Sequence, residues 1–264
     1  NEKRKTKRLS RKEQKATGKQ IERMRKQNNT PVKIWTWNAQ KASSAFFPGK
    51  TRLTEMIQYA TSKGADVVLF TEITGTNEGM TWFRAPNIHG VLIHGKRTAI
   101  YLRDKYAELW RENGCKRSFS QRTTCIEIGK TKIIAFYTPV RGTNDVEHEE
   151  MNEEMEYQLI ISAANDIVLF GGDMNVCVGK EETRVTSSAA GRYGMRKTNE
   201  SGRELLCWLE SNGLTLLKQH RSRIIKKMRT IKEETFSDHR PVEIEAYKLE
   251  LPGKKKINTS NNNN

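Results

Sequence analysis

The stretch Ile167–Val176 reads IVLFGGDMNV, and the reading of the fold turns on it. Ile167, Val168, Leu169 and Phe170 form a short apolar run of the kind shown by a fully buried strand. Gly171 and Gly172 then let the backbone bend or approach a neighbour closely. Asp173, Met174 and Asn175 follow at once. Alternation along an extended chain puts Asp173 and Asn175 on one side and Met174 on the other. A carboxylate and a carboxamide at the end of a buried strand can hold a water and a hard cation near a phosphate. A plain strand-to-loop turn, where Gly, Asp and Asn are common, accounts for the same residues. The remainder of the chain decides between the two.

Similar short runs recur. Val32–Asn38 (VKIWTWN) alternates and ends on Asn38, and Ala65–Phe70 is a buried run followed by Thr71 and Glu72. Gly90–Ile93, Thr98–Leu102, Ala107–Leu109, Thr124–Ile128 and Lys132–Tyr137 predict short strands, spaced closely enough for antiparallel meanders. Thr51–Lys63 carries Leu53, Met56, Ile57 and Ala60 at helical spacing before Gly64. Val146–Ala164 predicts a second helix. Asn199–Asn212 predicts a third, with a capping pattern, an apolar stripe at Leu205, Leu206 and Leu209, and a stop at Gly213. Ser237–Tyr247 (SDHRPVEIEAY) closes the pattern with a polar turn and an alternating strand.

Polar residues therefore fall just beyond strand ends four times: Asn38, Glu72, Asp173 with Asn175, and Asp238 with His239. A turn or cap role explains each one alone. Recurrence at the same end of successive strands points instead to a shared site, because strand-end loops are where sheet proteins place ligands. Oxygen ligands without a Cys or His cluster suit Mg²⁺ or Mn²⁺ over zinc.

The chain of 264 residues is long enough for one large domain with a sizeable core, or two small ones. Its formal charge is +16, and residues 1–30 hold twelve Lys and Arg against three Glu, a net +9. An arm of this kind, with Lys3, Arg4, Lys5, Lys7 and Arg8 at its start, binds nucleic acid by counterion release or stays solvated. No run of 18 apolar residues is present, so a membrane partner is not expected. The four cysteines, Cys115, Cys125, Cys177 and Cys207, show neither CxxC pairing nor zinc spacing. Cys125 and Cys177 sit in apolar runs and read as buried free thiols, which suits a reducing compartment. Opening on Asn1 and not Met suggests a fragment, a processed chain or part of a polyprotein. Three segments result: a basic arm over 1–30, a domain over 31–248, and a Lys- then Asn-rich tail over 249–264.

Taken in order, Trp37–Asn38, Thr71–Glu72, Tyr137–Pro139, Gly171–Asn175 and Ser237–His239 resemble the motif series of the endonuclease/exonuclease/phosphatase superfamily. The chain is most similar to the apurinic-type endonuclease domain of non-LTR (LINE-like) retrotransposons. Gly191–Leu217 (GRYGMRKTNESGRELLCWLESNGLTLL) resembles the retroelement branch, and the likeness runs from about Pro31 to Tyr247. It implies a DNase I-like α/β fold: a four-layer α/β/β/α sandwich of two mainly antiparallel sheets flanked by helices. It also implies roles. Glu72 would be the principal metal ligand, with Asn38 and Asp238 helping to hold the metal or its waters. Asp173 would activate or orient the attacking water, positioned with Asn175. His239 would stabilise charge on the scissile phosphate, and Tyr137 would hydrogen-bond it. Arg141, in YTPVRG, adds a phosphate contact or is a plain surface arginine. Gln40 stands where apurinic enzymes often carry an acid, which disfavours abasic-site repair.

In the family, the elements ending near Leu217 are followed by a Thr-Trp strand and an Ile-Asp-Tyr strand, whose Asp orients the catalytic histidine. Here only KQHRSRIIKKMRTIKEETF joins Leu217 to Ser237, which puts a seam near Leu217–Lys218 and leaves that Asp without a counterpart. Two functions follow from the resemblance. One is a Mg²⁺-dependent DNA endonuclease that nicks one strand to leave a 3′-hydroxyl, with a fused reverse transcriptase as neighbour. The other is a weakened or inactive domesticated relative that binds RNA in a large ribonucleoprotein such as a ribosome. A small-phosphoester phosphatase fits the positive charge less well. Either leading reading places the chain inside the cell, in the nucleus for a DNA substrate, with cytoplasm or mitochondrion as the other compartments.

Overall fold

The computed structural model describes residues 31–42, 51–74, 77–140, 145–165, 167–179, 197–214, 225–231 and 241–246. Two sheets face each other. The larger has seven strands in the order β10-β11-β1-β2-β5-β4-β3, where β1 is Val32–Asn38, β2 Val67–Thr71, β3 Gly79–Ala85, β4 Ile88–His94, β5 Thr98–Arg103, β10 Ile225–Thr230 and β11 Val242–Ala246. The smaller has four in the order β6-β7-β8-β9, from β6 Arg117–Phe119 through β7 Thr123–Ile128 and β8 Thr131–Tyr137 to β9 Ile167–Asp173. Pairing is antiparallel except for β1 with β2 and β8 with β9. A parallel neighbour needs a crossover. Helix α1 (Arg52–Ser62) crosses from β1 to β2, and α3 (Asp145–Ile160) from β8 to β9.

Side-chain alternation sorts the core into layers. Ile34, Val67, Leu69, Ile100 and Leu102 of the large sheet meet Ile126, Ile128, Ile133 and Ala135 of the small one. On the outer face of the large sheet, Trp35, Trp37, Val68 and Phe70 pack against Leu53, Met56, Ile57 and Ala60 of α1. Phe136 and Phe170, on the outer face of the small sheet, meet Met151 and Met155 of α3, joined by Trp208 of α4 (Glu200–Ser211). Helix, sheet, sheet and helix follow one another, as the resemblance implies. No helix among the described residues is long and apolar enough to cross a membrane.

The helix starts are chemical. The Thr51 hydroxyl accepts from the Thr54 N–H at 3.2 Å to open α1. Asn199 does the same for α4, its Oδ1 accepting from the Gly202 N–H at 2.8 Å. One sequence expectation is overturned: Ala107–Leu109 is not a strand but the middle of helix α2 (Asp104–Glu112). Tyr106, Ala107 and Trp110 share one face of that helix and are buried against the inter-sheet core. The sequence reading misses strands β3, β6 and β10: β3 is an edge strand of half-exposed residues, β6 has three residues, and β10 lies in the Lys- and Arg-rich stretch before Ser237. Cys125 is buried, and burial pushes its thiol up to about 11. Cys177 is half-buried instead of buried, and all four cysteines are free.

Where the sheets meet near β9, glycine is required on contact grounds. A Cβ on Gly171 would lie 2.2 Å from Leu69 Cδ1 of the opposite sheet, and one on Gly172 would lie 1.9 Å from the Phe136 carbonyl oxygen. The first clash involves the end of a side chain; the second involves backbone. Gly172→Ala is therefore expected to lower stability by about 1–3 kcal/mol, more than Gly171→Ala, in urea unfolding. A Gly172→Ala midpoint equal to that of the parent would contradict the pairing of β8 with β9.

Candidate functional site

The two parallel pairs bring their ends to one place. Asn38 pairs with Thr71 across β1 and β2, and Tyr137 pairs with Asp173 across β8 and β9. Ile34, Leu69, Ala135 and Leu169 show which faces point between the sheets. Period-two alternation from them aims Asn38, Thr71, Tyr137 and Asp173 inward as well. Glu72 follows β2 directly. Four polar side chains from two sheets thus gather at one end of the sandwich.

Asn38 joins them. Its Nδ2 donates to Glu72 Oε1 at 2.9 Å and to Asp173 Oδ2 at 2.9 Å. Its Oδ1 accepts from the Gln40 backbone N–H at 2.9 Å. A backbone N–H can only donate, so this bond fixes which end of the carboxamide faces the acids. In this arrangement Asn38 holds the two carboxylates together and does not offer them a cation-binding oxygen. Asp173 Oδ1 accepts from the Asn175 N–H at 2.9 Å, and the Asn175 Nδ2 donates to the Thr138 carbonyl at 2.7 Å. Both Asp173 oxygens are thereby oriented by named donors.

The backbone around them is in an uncommon conformation. Six non-glycine residues among those described have positive φ, and four are here: Gln40 at 47°, Lys41 at 62°, Glu72 at 53° and Asn175 at 50°. Left-handed backbone at non-glycine positions is held in place by surrounding bonds and gathers at functional sites. The Lys41 N–H donates to the Glu72 carbonyl at 2.5 Å and the Ala39 N–H to that of Thr71 at 2.8 Å, so the two turns fix each other.

Tyr137 stands beside the acids. Burial pushes its hydroxyl pKa above the ordinary value, the negative charges of Glu72 and Asp173 and a hydrogen bond to Glu72 add to the rise, and Arg97 opposes it. Tyr137 therefore stays a donor throughout the pH range of ordinary biochemistry. Its N–H donates to the Arg122 carbonyl at 3.1 Å, and the Arg122 guanidinium lies 5.8 Å from its ring centroid while pairing with Glu147. Arg97 and Arg122 were not anticipated from the sequence. Both lie in short turns whose neighbours become known only once the sheets are assembled.

Among the described residues no group of three or more His, Cys, Asp or Glu could hold a metal ion, and neither Glu72 nor Asp173 has an ion-pair partner. The pair nonetheless suits Mg²⁺, which keeps several waters and is usually held by one or two carboxylates plus substrate phosphate. Beside the acids, the hydroxyls of Thr71 and Thr138 are buried without a hydrogen-bond partner, positions that water or a ligand completes. Asp238, His239, Arg141, the arm residues Lys3, Arg4, Lys5, Lys7 and Arg8, and the Leu217–Lys218 junction lie outside the described residues. Strand β11 begins with Val242 opposite Thr36, at the end of β1 that carries Asn38.

No family model matches the chain, and no curated protein matches it. Among solved structures it is similar to the endonuclease domain of TRAS1, a telomere-specific non-LTR retrotransposon. Identity is 16%, the TM-score is 0.49, and the match covers 83% of this chain and 100% of that chain.

Because the Glu72 and Asp173 charges both disfavour the Tyr137 phenolate, Glu72→Gln or Asp173→Asn is expected to lower the Tyr137 pKa, and Arg97→Ala to raise it further. Phenolate absorbance in a pH titration, with Tyr137→Phe as the blank, reads both directions. A Tyr137 pKa unmoved by either acid substitution would separate it from the carboxylates.

Proposed function

We propose that this chain is a divalent-cation-dependent phosphodiesterase of the retroelement type, nicking one strand of DNA to leave a 3′-hydroxyl. The observation that carries the reading is the single Asn38 nitrogen shared by Glu72 and Asp173, with Tyr137 as a protonated donor beside them. Glu72 and Asp173, with waters, would hold a Mg²⁺ or Mn²⁺ ion, which supplies charge neutralisation at the phosphoryl oxygens and a lower pKa for the attacking water.

The side chains do the remaining work. Asp173, its oxygens fixed by Asn38 and Asn175, orients the water in line with the bond to be broken and accepts its proton. Tyr137 moves its hydrogen bond from Glu72 to a phosphate oxygen, where charge develops. The water oxygen bonds to phosphorus and the bond from phosphorus to the 3′ oxygen breaks; the departing 3′ oxygen takes a proton from solvent water to become the hydroxyl, and Asp173 returns its proton to solvent. His239 takes the place of charge stabiliser, with Asp238 beside the cation, on the strength of the motif order alone.

A plasmid-nicking assay with Mg²⁺ tests the proposal. Asp173→Ala is expected to slow nicking by about 10²–10⁴-fold, the range for removing a general base. His239→Ala is expected to lose activity as well, and chelation to abolish it. A parent protein that binds RNA but nicks nothing would instead favour the ribonucleoprotein reading, for which the +9 arm over residues 1–30 speaks.

A further inference from the structure

The segment Glu72–Thr74 runs between two turns that carry exposed cations. On one side is the turn after β1, with the Lys41 N–H donating to the Glu72 carbonyl at 2.5 Å and the Thr74 N–H to the Ala42 carbonyl at 2.9 Å. On the other is the β4–β5 hairpin, Gly95-Lys96-Arg97, where the Ile73 N–H donates to the Arg97 carbonyl at 3.1 Å. Lys41, Lys96 and Arg97 are all exposed. None of the three forms an ion pair among the described residues.

The hairpin is held rigidly for an element with an exposed tip. Its Gly95 N–H donates to the Thr98 carbonyl at 2.9 Å. Beneath it, Thr98 Oγ1 and Thr124 Oγ1 of the opposite sheet are 2.9 Å apart, and Thr124 Oγ1 also donates to the Thr98 carbonyl at 2.9 Å. Both threonines are fully buried. Two hydroxyls in a sheet-to-sheet core are costly unless they bond each other, and here they pin the base of the hairpin to β7. A Cβ on Gly95 would approach Thr124 Oγ1 to 3.0 Å, so the hairpin lies close against that strand. The backbone that carries the two cations is thereby fixed beside Glu72, so that binding orders only their side chains and not the turn itself.

We infer that Lys41, Lys96 and Arg97 form a phosphate clamp that takes backbone phosphates flanking the reacting one, so that the site selects polymeric phosphodiesters over small ones. The inference rests on the phosphodiesterase reading of the carboxylate pair and names its substrate class. A small ester offers one phosphate, which the reacting centre occupies. A strand offers further phosphates on either side, and only these reach cations that stand on the two turns flanking Glu72. Spacing along the chain is what the clamp reads, without regard to base sequence.

Binding of a labelled DNA duplex in EDTA, titrated with salt, tests the clamp without turnover. Lys96→Ala and Arg97→Ala are each expected to reduce the slope of log K against log[salt] by about 0.9, the value for one lost phosphate contact. Arg84→Ala removes an exposed cation from the far end of β3, opposite His89, and is expected to leave the slope as in the parent. In turnover, the ratio of kcat/KM for duplex to that for bis(4-nitrophenyl) phosphate is expected to fall at least about threefold per variant near physiological salt. Arg97→Lys should retain most of the slope. Unchanged slopes for Lys96→Ala and Arg97→Ala, or an equal change for Arg84→Ala, would overturn the clamp. A parent that hydrolyses neither substrate defeats the phosphodiesterase reading, while the binding slopes still decide the clamp.

Discussion

One amide nitrogen belongs to both halves of the sandwich. Asn38 ends β1 in the large sheet, and its Nδ2 reaches Glu72 of the same sheet and Asp173 of the other. Two carboxylates brought this close repel each other unless donors or a cation lie between them. The shared amide supplies such a donor from within the chain. A divalent ion would supply a stronger neutraliser at the same place. The geometry therefore keeps two acidic side chains close together in a partly buried setting, and the rest of the local structure serves to hold them there.

That constraint explains features that otherwise look unrelated. Gly171 and Gly172 let β9 approach both Leu69 and β8 so that Asp173 arrives opposite Asn38. Left-handed backbone at Glu72 and Asn175 turns the chain sharply just past the strand ends. The Thr98–Thr124 contact spans the sheets at the same end of the molecule. The left-handed turns cost some local stability, and they sit at or within two residues of the acids. Strain and buried polar groups are distributed in this way when a site, and not the core, sets the requirement.

The sequence carried much of the architecture because the buried strands announce themselves. VKIWTWN alternates over seven residues and IVLFGG is an apolar run closed by glycine, patterns that leave few alternatives, and Thr51 and Asn199 mark helix starts by their capping chemistry. Helix α2 was misread because it follows β5 with no glycine or proline between them. Its turn is made instead by Asp104 in a positive-φ conformation, which no residue type signals reliably. The edge strand Gly79–Ala85 lacked a clean alternation because neither of its faces is fully covered. For the site, motif order names candidate residues but not how they meet. That Asn38 uses its nitrogen toward the acids depends on the Gln40 N–H, and that the Arg97 charge acts on Tyr137 depends on the neighbour relation of β2 and β5.

The central claim is that Glu72 and Asp173 act as one cation site, not as two acids that happen to be near. Calorimetric titration of Mn²⁺ into the parent, Glu72→Gln, Asp173→Asn and the double variant tests it as a thermodynamic cycle. The expected result is that either single substitution removes most of the binding and the double variant is little worse than either. Losses that simply add, or Mn²⁺ binding that survives in the double variant, would contradict it.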